Sequence, residues 1–249
     1  MRLRLIAAGC ALTGALGFPA LSPASAIASV GGPVPAGKPQ VSVTSPVTDN
    51  PYGARVTLAV ALGPTLTDRE VSLYATPVGQ PRRLVATGNV DANGKWYPTY
   101  TITRTTTFTA VFSGDALNAA NSASRTLYAY ARVASRLAGY YKTVKDSTGI
   151  VYDAFHSAGT VTFDSTVAPN KQGECLEPET EQYDKRAGWH ADSKYGCDKL
   201  DAASHDTASF SLSEAAGGRY RIRGDYRRGA KDTANLNQQG PWLYFIVTK

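Results

Sequence analysis

The sequence is poor in the residues that build metal and catalytic centres. It has three cysteines and three histidines in 249 residues. The histidines, His156, His190 and His205, are too scattered along the chain to indicate a metal site. No serine stands in the G-x-S-x-G pattern of one class of serine hydrolases. We therefore expect no enzyme activity, no metal and no cofactor.

Basic clusters and membrane-length apolar runs are also missing. The formal net charge is +6, but no cluster of lysines and arginines has the density that neutralises nucleic-acid phosphates. No segment reaches the roughly 20 apolar residues that a membrane helix needs. We expect neither a nucleic-acid partner nor a membrane span.

The N-terminus is typical of an export signal. Two arginines precede the apolar run LIAAGCALTGALGF, and Ala24-Ser25-Ala26 or Ala26-Ile27-Ala28 gives the small-residue pattern at which such signals are cut. A lipoprotein site at Cys10 is the alternative, although the apolar stretch before it is short. We predict a signal peptide over residues 1–28 and a flexible linker, rich in Gly and Pro, over 29–39. The protein is then secreted or extracellular, with association to the cell envelope left open.

The rest of the chain alternates apolar and polar residues. Val56, Leu58, Val60 and Leu62 alternate with small or polar residues, and the turn DANGKW separates two such runs. Alternation with a period of two predicts half-buried strands, and no amphipathic helix is convincing. Because a sheet with one apolar face must bury it, short strands of this kind predict two packed sheets.

The run from Gln40 to Val133 resembles a known family. Its segments RVTLAV, DANGKW and FTAVFSGDALNAANSAS are similar to the bacterial immunoglobulin-like repeat domains of exported Gram-positive proteins. The resemblance covers residues 40–133 well and 134–249 loosely. It implies a sandwich with strands in immunoglobulin-like order and a spacer, adhesion or display role. The family has no catalytic residues to carry over.

The same plan occurs twice in the chain. One constant shift in numbering aligns Phe108 with Ile222, Phe112 with Tyr226 and Asn121 with Asn235. We predict an all-β fold of two tandem immunoglobulin-like antiparallel β-sandwiches, over residues 40–133 and 134–249. The boundary has no run of Pro or Gly, so we expect a short, stiff linkage.

Two cysteines remain beyond the export signal. The midpoint between Cys175 and Cys197 is residue 186, inside the turn-like segment 185–188, and a hairpin folded there also pairs Tyr183 with Trp189. In an exported chain such a pair predicts a disulfide that stabilises the fold by roughly 3 kcal/mol. A redox-active or metal-binding pair lacks the CxxC spacing and a third ligand.

Acids and bases are segregated in the second half of the chain. Acids outnumber bases between Lys171 and Asp206, whereas arginines dominate from Arg219 to Arg228. Strands of opposite sign can pair across a sheet. Solvated outer faces, or an arginine patch for an acidic wall polymer, are the alternatives.

A candidate ligand surface lies on the cystine hairpin. In the register given above, Tyr183, Trp189 and Tyr195 project from one face, with Glu179 and Glu181 between them. Aromatic rings beside carboxylates can stack on sugar rings and accept hydrogen bonds from sugar hydroxyls. In the alternative interpretation this face is turned into the core and the glutamates lie at its rim.

Two other patterns are interpreted as chance. Glu177, Glu179 and Glu181 alternate on one strand face, but glycoside hydrolysis needs carboxylates facing each other across a cleft. The tripeptide Arg223-Gly224-Asp225 lies inside an expected strand, whereas receptor recognition needs an exposed loop tip.

The sequence thus predicts a secreted non-catalytic structural or interaction protein. It would act as a cell-envelope-associated or extracellular binding or adhesion module. The alternative is a carbohydrate-binding module for cell-wall or environmental polysaccharide. The expected partners are cell-wall polysaccharide or another surface protein, and the oligomeric state does not follow from the sequence.

Overall fold

The computed structural model describes residues 37–63, 69–213, 215 and 217–249. The predicted signal peptide, Cys10 and most of the predicted linker lie outside the described residues. The described residues belong to one compact unit, Ala36–Lys249. They form strands and no helix, so the all-β prediction is confirmed. None of them belongs to a helix that could cross a membrane.

The described residues of the first part of the chain, up to Ala129, form ten strands. They are β1 (Ser42–Thr44), β2 (Asp49–Asn50), β3 (Arg55–Thr57), β4 (Ala59–Ala61), β5 (Glu70–Pro77), β6 (Arg83–Asn89), β7 (Lys95–Trp96), β8 (Thr99–Thr101), β9 (Thr106–Phe112) and β10 (Asn121–Ala129). One sheet has the order β2-β10-β9-β5-β6, and two smaller sheets have the orders β1-β4-β7 and β3-β8. Pairing is antiparallel except between β2 and β10.

The alternating residues of these strands build one core. Val60 of β4 and the neighbouring Leu58 and Leu62 pack in one cluster with Leu73 of β5 and Phe108 of β9. All five side chains are buried. Two layers of strands therefore bury their apolar faces on each other, which the period-two pattern predicted.

Eleven strands are formed by the residues that the structure describes in the second part of the chain. They are β11 (Arg132–Ala138), β12 (Lys142–Lys145), β13 (Val151–His156), β14 (Thr160–Ala168), β15 (Cys175–Asp184), β16 (Gly188–Lys194), β17 (Asp198–Lys199), β18 (His205–Ser211), β19 (Arg219–Arg227), β20 (Gln238–Gln239) and β21 (Leu243–Thr248). A small sheet has the order β11-β14-β18. A large sheet has the order β12-β13-β21-β19-β15-β16, with β17 on β15 and β20 on β19.

These two sheets form a β-sandwich-like arrangement. Phe163 of β14, in the small sheet, packs in one cluster with Ile222 of β19 and Phe245 of β21, in the large sheet. A neighbouring cluster joins Val133 of β11 to Tyr226 of β19. Each of the two sheets packs one face into this core, and its other face, the outer face, points away from the core.

The two parts of the chain are connected by two residues, Tyr130 and Ala131, between β10 and β11. The loop that follows β19 returns to this connection. The N–H of Leu236 donates to the carbonyl of Ala129 at 2.7 Å, and the N–H of Ala131 donates to the carbonyl of Leu236 at 3.1 Å. The N–H of Thr105 also donates to the carbonyl of Ala234 at 2.7 Å. The loop after β19 is thus hydrogen-bonded both to the connection and to the first part of the chain.

Candidate functional site

The site is built on the hairpin of β15 and β16. Tyr183 pairs with Trp189 and Asp184 with Gly188, which confirms the predicted register at the turn. The Asp184 carboxylate accepts hydrogen bonds from the N–H groups of Ala187 and Arg186, which lower the pKa of Asp184. Gly188 has a φ of 76°, which a residue without a Cβ adopts at little cost. These features explain why the chain reverses here.

The base of the hairpin carries the predicted disulfide. Cys175 and Cys197 lie at disulfide distance, with their Cα atoms 5.1 Å apart. They are not directly opposed in the ladder, because Cys175 pairs with Lys199 of β17. The predicted bridge is confirmed, whereas the simple register that suggested it does not extend to the end of the hairpin.

A β-bulge interrupts this register and moves Tyr195 off the predicted surface. Glu181 pairs with Ala191 but Thr180 pairs with Ser193, so Asp192 is an extra residue. One extra residue reverses which face the following side chains take. The expectation that Tyr195 shares a face with Tyr183 and Trp189 is therefore wrong. The Tyr195 ring instead lies 4.6 Å from that of Phe210, on β18 of the small sheet.

The other predicted site residues lie together on the outer face of the large sheet. Tyr220 and Ile222 of β19 point into the core, so Arg221 and Arg223 point away from it. Around them lie four aromatic side chains and two glutamates of β15. We call this group the arginine–tryptophan face; it consists of Glu179, Glu181, Tyr183, Trp189, Arg221, Arg223, Trp242 and Tyr244.

Ion pairs join β15 to β19 across this face. The Arg221 Nε donates to Glu181 Oε2 at 2.7 Å, and the Arg223 Nε and Nη2 donate to Glu179 Oε2 at 3.0 and 2.8 Å. The pairs are directly opposed in the antiparallel register. The prediction that the acidic and basic strands pair across a sheet is confirmed. Glu177, the third acid of the row, contacts Arg227 at 3.4 Å.

These contacts control the ionisation of Glu179. Burial tends to raise the pKa of this carboxyl, but the hydrogen bonds and charges of Arg223 and Lys194 outweigh burial. The pKa of Glu179 therefore lies below its ordinary value. The carboxylate is ionised at neutral pH, and its charge is used within the sheet.

Arginine and tryptophan side chains stack on the same face. The Arg221 guanidinium carbon lies 4.7 Å from the ring centroid of Trp189 and 4.3 Å from that of Trp242. The guanidinium carbon of Arg223 lies 4.2 Å from the Trp242 centroid. Each such contact stabilises by about 0.5–1 kcal/mol at exposed sites and more when desolvated. Because ion pairs and stacking act on the same guanidinium groups, both arginines are held in one orientation.

Tyrosines extend the aromatic surface. The Trp189 ring lies 5.3 Å from that of Tyr183 and 5.6 Å from that of Tyr244, both edge to face. Tyr183 is 37% exposed. The face is turned away from the core, so the alternative that places it inside the core does not hold.

Sequence reasoning missed Trp242, Tyr244 and the stacking role of the two arginines. A signal for the arginines was present, because Arg219, Arg221 and Arg223 alternate with core residues. Trp242 is placed by the pairing of Ile222 with Leu243, which sets the register of β21 on β19. No local pattern indicates that register.

The patterns interpreted as chance have structural roles. Arg223-Gly224-Asp225 lies within β19, and Asp225 is buried. Burial raises the pKa of Asp225, and the nearby charge of Arg227 opposes this rise. Within residues 37–249, the described His, Cys, Asp and Glu side chains form no group that could hold a metal ion.

No protein-family model matches the chain, and no curated protein matches it. The function is therefore inferred from the arrangement of these residues.

Proposed function

We propose that the chain is a secreted, non-catalytic interaction protein that binds another surface protein through the arginine–tryptophan face. It would act at the cell envelope or outside the cell as a binding or adhesion module. We also propose that residues 40–133 and 134–249 are tandem immunoglobulin-like sandwiches of the bacterial repeat type. In support, Phe108 and Ile222, which the internal repeat aligns, are both fully buried on long strands.

The observation that carries the proposal is a cluster of Trp, Tyr and Arg side chains, most of them half-buried, on the outer face of the large sheet. These three residue types contribute most to the affinity of protein interfaces. Here Arg221 and Arg223 are already held by Glu181, Glu179 and Trp242. A partner would therefore meet side chains that lose little freedom on binding, which favours affinity.

The charges of the face favour a protein over an acidic polymer. The arginines of β19 that point outward each contact a carboxylate, at Asp146, Glu181, Glu179 and Glu177 in turn. Their positive charge is compensated within the sheet, so a polyanion would gain little from long-range attraction. An arginine patch for an acidic wall polymer is not favoured.

A carbohydrate-binding module remains the second candidate. The exposed ring of Tyr183 beside Trp189, with Glu181 close by, offers stacking and hydrogen bonding to a sugar. However, the guanidinium groups of Arg221 and Arg223 both lie over Trp242. They occupy stacking surface that a saccharide would need, which ranks this candidate below protein binding.

Sedimentation with cell walls distinguishes the candidates. The purified chain would be mixed with walls of the producing organism, either untreated or stripped of protein by protease. We expect retention on untreated walls, a several-fold loss in Tyr183→Ala, and no change in Tyr128→Ala, a similarly exposed tyrosine on β10.

Equal retention on stripped walls, abolished by soluble wall polysaccharide, would replace protein binding with carbohydrate binding. Absence of retention on both preparations, or equal loss in both tyrosine variants, would contradict the assignment of this face.

A further inference from the structure

A lysine is buried in a polar cluster away from the arginine–tryptophan face. Lys171 lies in the loop between β14 and β15, and only 5% of its side chain is exposed. Its Nζ donates to Asp232 Oδ2 at 2.6 Å and to Asn235 Oδ1 at 3.0 Å. Asp232 and Asn235 lie in the loop between β19 and β20, and Asn235 is completely buried. A primary amine, a carboxyl and a carboxamide thus meet in a largely buried site.

The surroundings orient the carboxamide towards the lysine. The Asn235 Nδ2 donates to the carbonyls of Thr103 at 3.1 Å and Tyr130 at 3.5 Å. An ammonium group can only donate, so the amide oxygen must face Lys171. The carbonyl carbon of Asn235 is thereby held beside the amine nitrogen, in a position that freely moving side chains seldom reach.

We propose that Lys171 and Asn235 form an intramolecular amide bond, with Asp232 transferring the protons. The nitrogen of the neutral Lys171 amine attacks Cγ of Asn235. The new bond joins Nζ to Cγ, the bond between Cγ and Nδ2 breaks, and Nδ2 leaves as ammonia. One amide replaces another, so the reaction needs no oxidant, reductant or co-substrate.

Asp232 is placed for both proton transfers. It receives a proton from the Lys171 ammonium along the 2.6 Å hydrogen bond, which leaves the amine nucleophilic. As the new bond forms, the Lys171 nitrogen loses a second proton. Asp232 passes one of the two protons to the departing Nδ2, and the other leaves with the ammonia as ammonium, so the carboxylate is regenerated. The hydroxyl of Tyr226 donates to the same oxygen, Oδ2, and the N–H of Ala234 donates to Oδ1 at 3.0 Å, which hold the carboxyl in place.

The resting state of the cluster is an ion pair, so the reaction is slow. Burial tends to raise the pKa of Asp232, but hydrogen bonds from Lys171 and Tyr226 outweigh burial and hold it below its ordinary value. The reactive form, with both groups neutral, is a minor species that burial favours because it removes two charges from a dry site. The neutral form is rarely populated, but the amine and the amide are always close together, and this proximity raises the rate of the reaction. Loss of ammonia to solvent makes the product permanent.

Intact mass in reducing, denaturing solvent tests this inference. We expect the purified chain, with its N-terminus read from the same sample, to weigh one ammonia less than its sequence. Tryptic digestion should give one branched product that joins the peptide of Lys171 to that of Asn235. The mass difference should be absent in Lys171→Met, Asn235→Ala and Asp232→Ala, and present in Lys194→Met, which alters an exposed lysine.

The wild-type spectrum decides the question even if a variant fails to fold. If the wild-type protein still has the mass of its unmodified sequence after prolonged incubation, the inference is wrong. Loss of one water, with Lys171 joined to Asp232, would also overturn it, because the acyl group would then come from the wrong residue. This test is independent of the proposed binding function, which requires only the outer face of the large sheet.

Discussion

Arg223 lies directly opposite Glu179 on neighbouring strands and donates two hydrogen bonds to one of its carboxylate oxygens. Both side chains are mostly buried, at 19% and 13% exposure, and Trp242 stacks on the Arg223 guanidinium. Removal of one charge therefore leaves the other poorly solvated, which is worse than the loss of an exposed pair.

Glu179→Gln should lower the free energy of unfolding by about 1–2 kcal/mol, because the Arg223 guanidinium keeps its stacking on Trp242 but loses its anion. Urea unfolding followed by tryptophan fluorescence measures the change. Glu70→Gln, at the exposed start of β5, is the matched control and should be neutral within error. Equal effects of the two substitutions would show that the ion pair is not a net stabiliser.

The same carboxyl predicts a dependence of stability on pH. The pKa of Glu179 in the folded chain is below the ordinary value of 4.5. As pH falls, the Glu179 carboxyl therefore binds its proton at a higher pH in the unfolded chain than in the folded chain. The contribution of Glu179 is complete above pH 4.5 and is lost as pH falls through the folded pKa. Between neutral pH and strong acid, the wild type should lose more stability than Glu179→Gln. Parallel curves for the two proteins would contradict the assignment.

The disulfide gives a prediction with an internal control. Reduction should lower the free energy of unfolding by roughly 3 kcal/mol, because the bridge closes a loop between residues 22 apart in sequence. The variant with both Cys175→Ser and Cys197→Ser should have that lower stability with or without reductant. A further loss when this variant is treated with reductant would show that the reagent acts elsewhere.

Strand content and local pairing were predictable because they depend on neighbouring residues. The alternation at Val56 to Leu62 indicates strands, and residues 185–188 indicate the hairpin. Charge segregation also indicated that the strand of Glu179 pairs with that of Arg223. The position of Trp242 was not predictable, because it depends on how β21 registers on β19, far away in sequence. The face taken by Tyr195 depends on one bulged residue that has no sequence signature.

The binding surface should depend on Trp189 more than on Tyr183. Trp189 lies over Arg221 and contacts both Tyr183 and Tyr244, so Trp189→Ala removes the ring that connects these side chains. We expect the strand content measured by far-ultraviolet circular dichroism to be unchanged. The loss of wall retention should be larger than in Tyr183→Ala. Tyr97→Ala, which removes an exposed ring from the first part of the chain, should retain wild-type binding. A folded Trp189→Ala protein with full retention would exclude this face as the binding surface.

Deletion of one residue distinguishes the bulge from the rest of the hairpin. Asp192 has no partner in the ladder, and the pairs on either side, Glu181 with Ala191 and Thr180 with Ser193, are already in place. Deleting Asp192 should therefore make the ladder regular and leave Tyr195 against Phe210. Its cost should be about 1 kcal/mol, from the lost hydrogen bond between Asp192 and Thr180.

Deletion of Gln182 on the opposite strand is the control for that experiment. Gln182 is paired on both sides, with His190 and Tyr220, so its loss shifts the rest of β15 by one residue. Such a shift turns Glu179 and Glu181 towards the core and Leu176 towards solvent. We expect a much larger loss of stability and free thiols in place of the disulfide, measured by denaturant unfolding and thiol titration. Similar stability in the two deletion variants would mean that Asp192 does not decide which face the residues after it occupy.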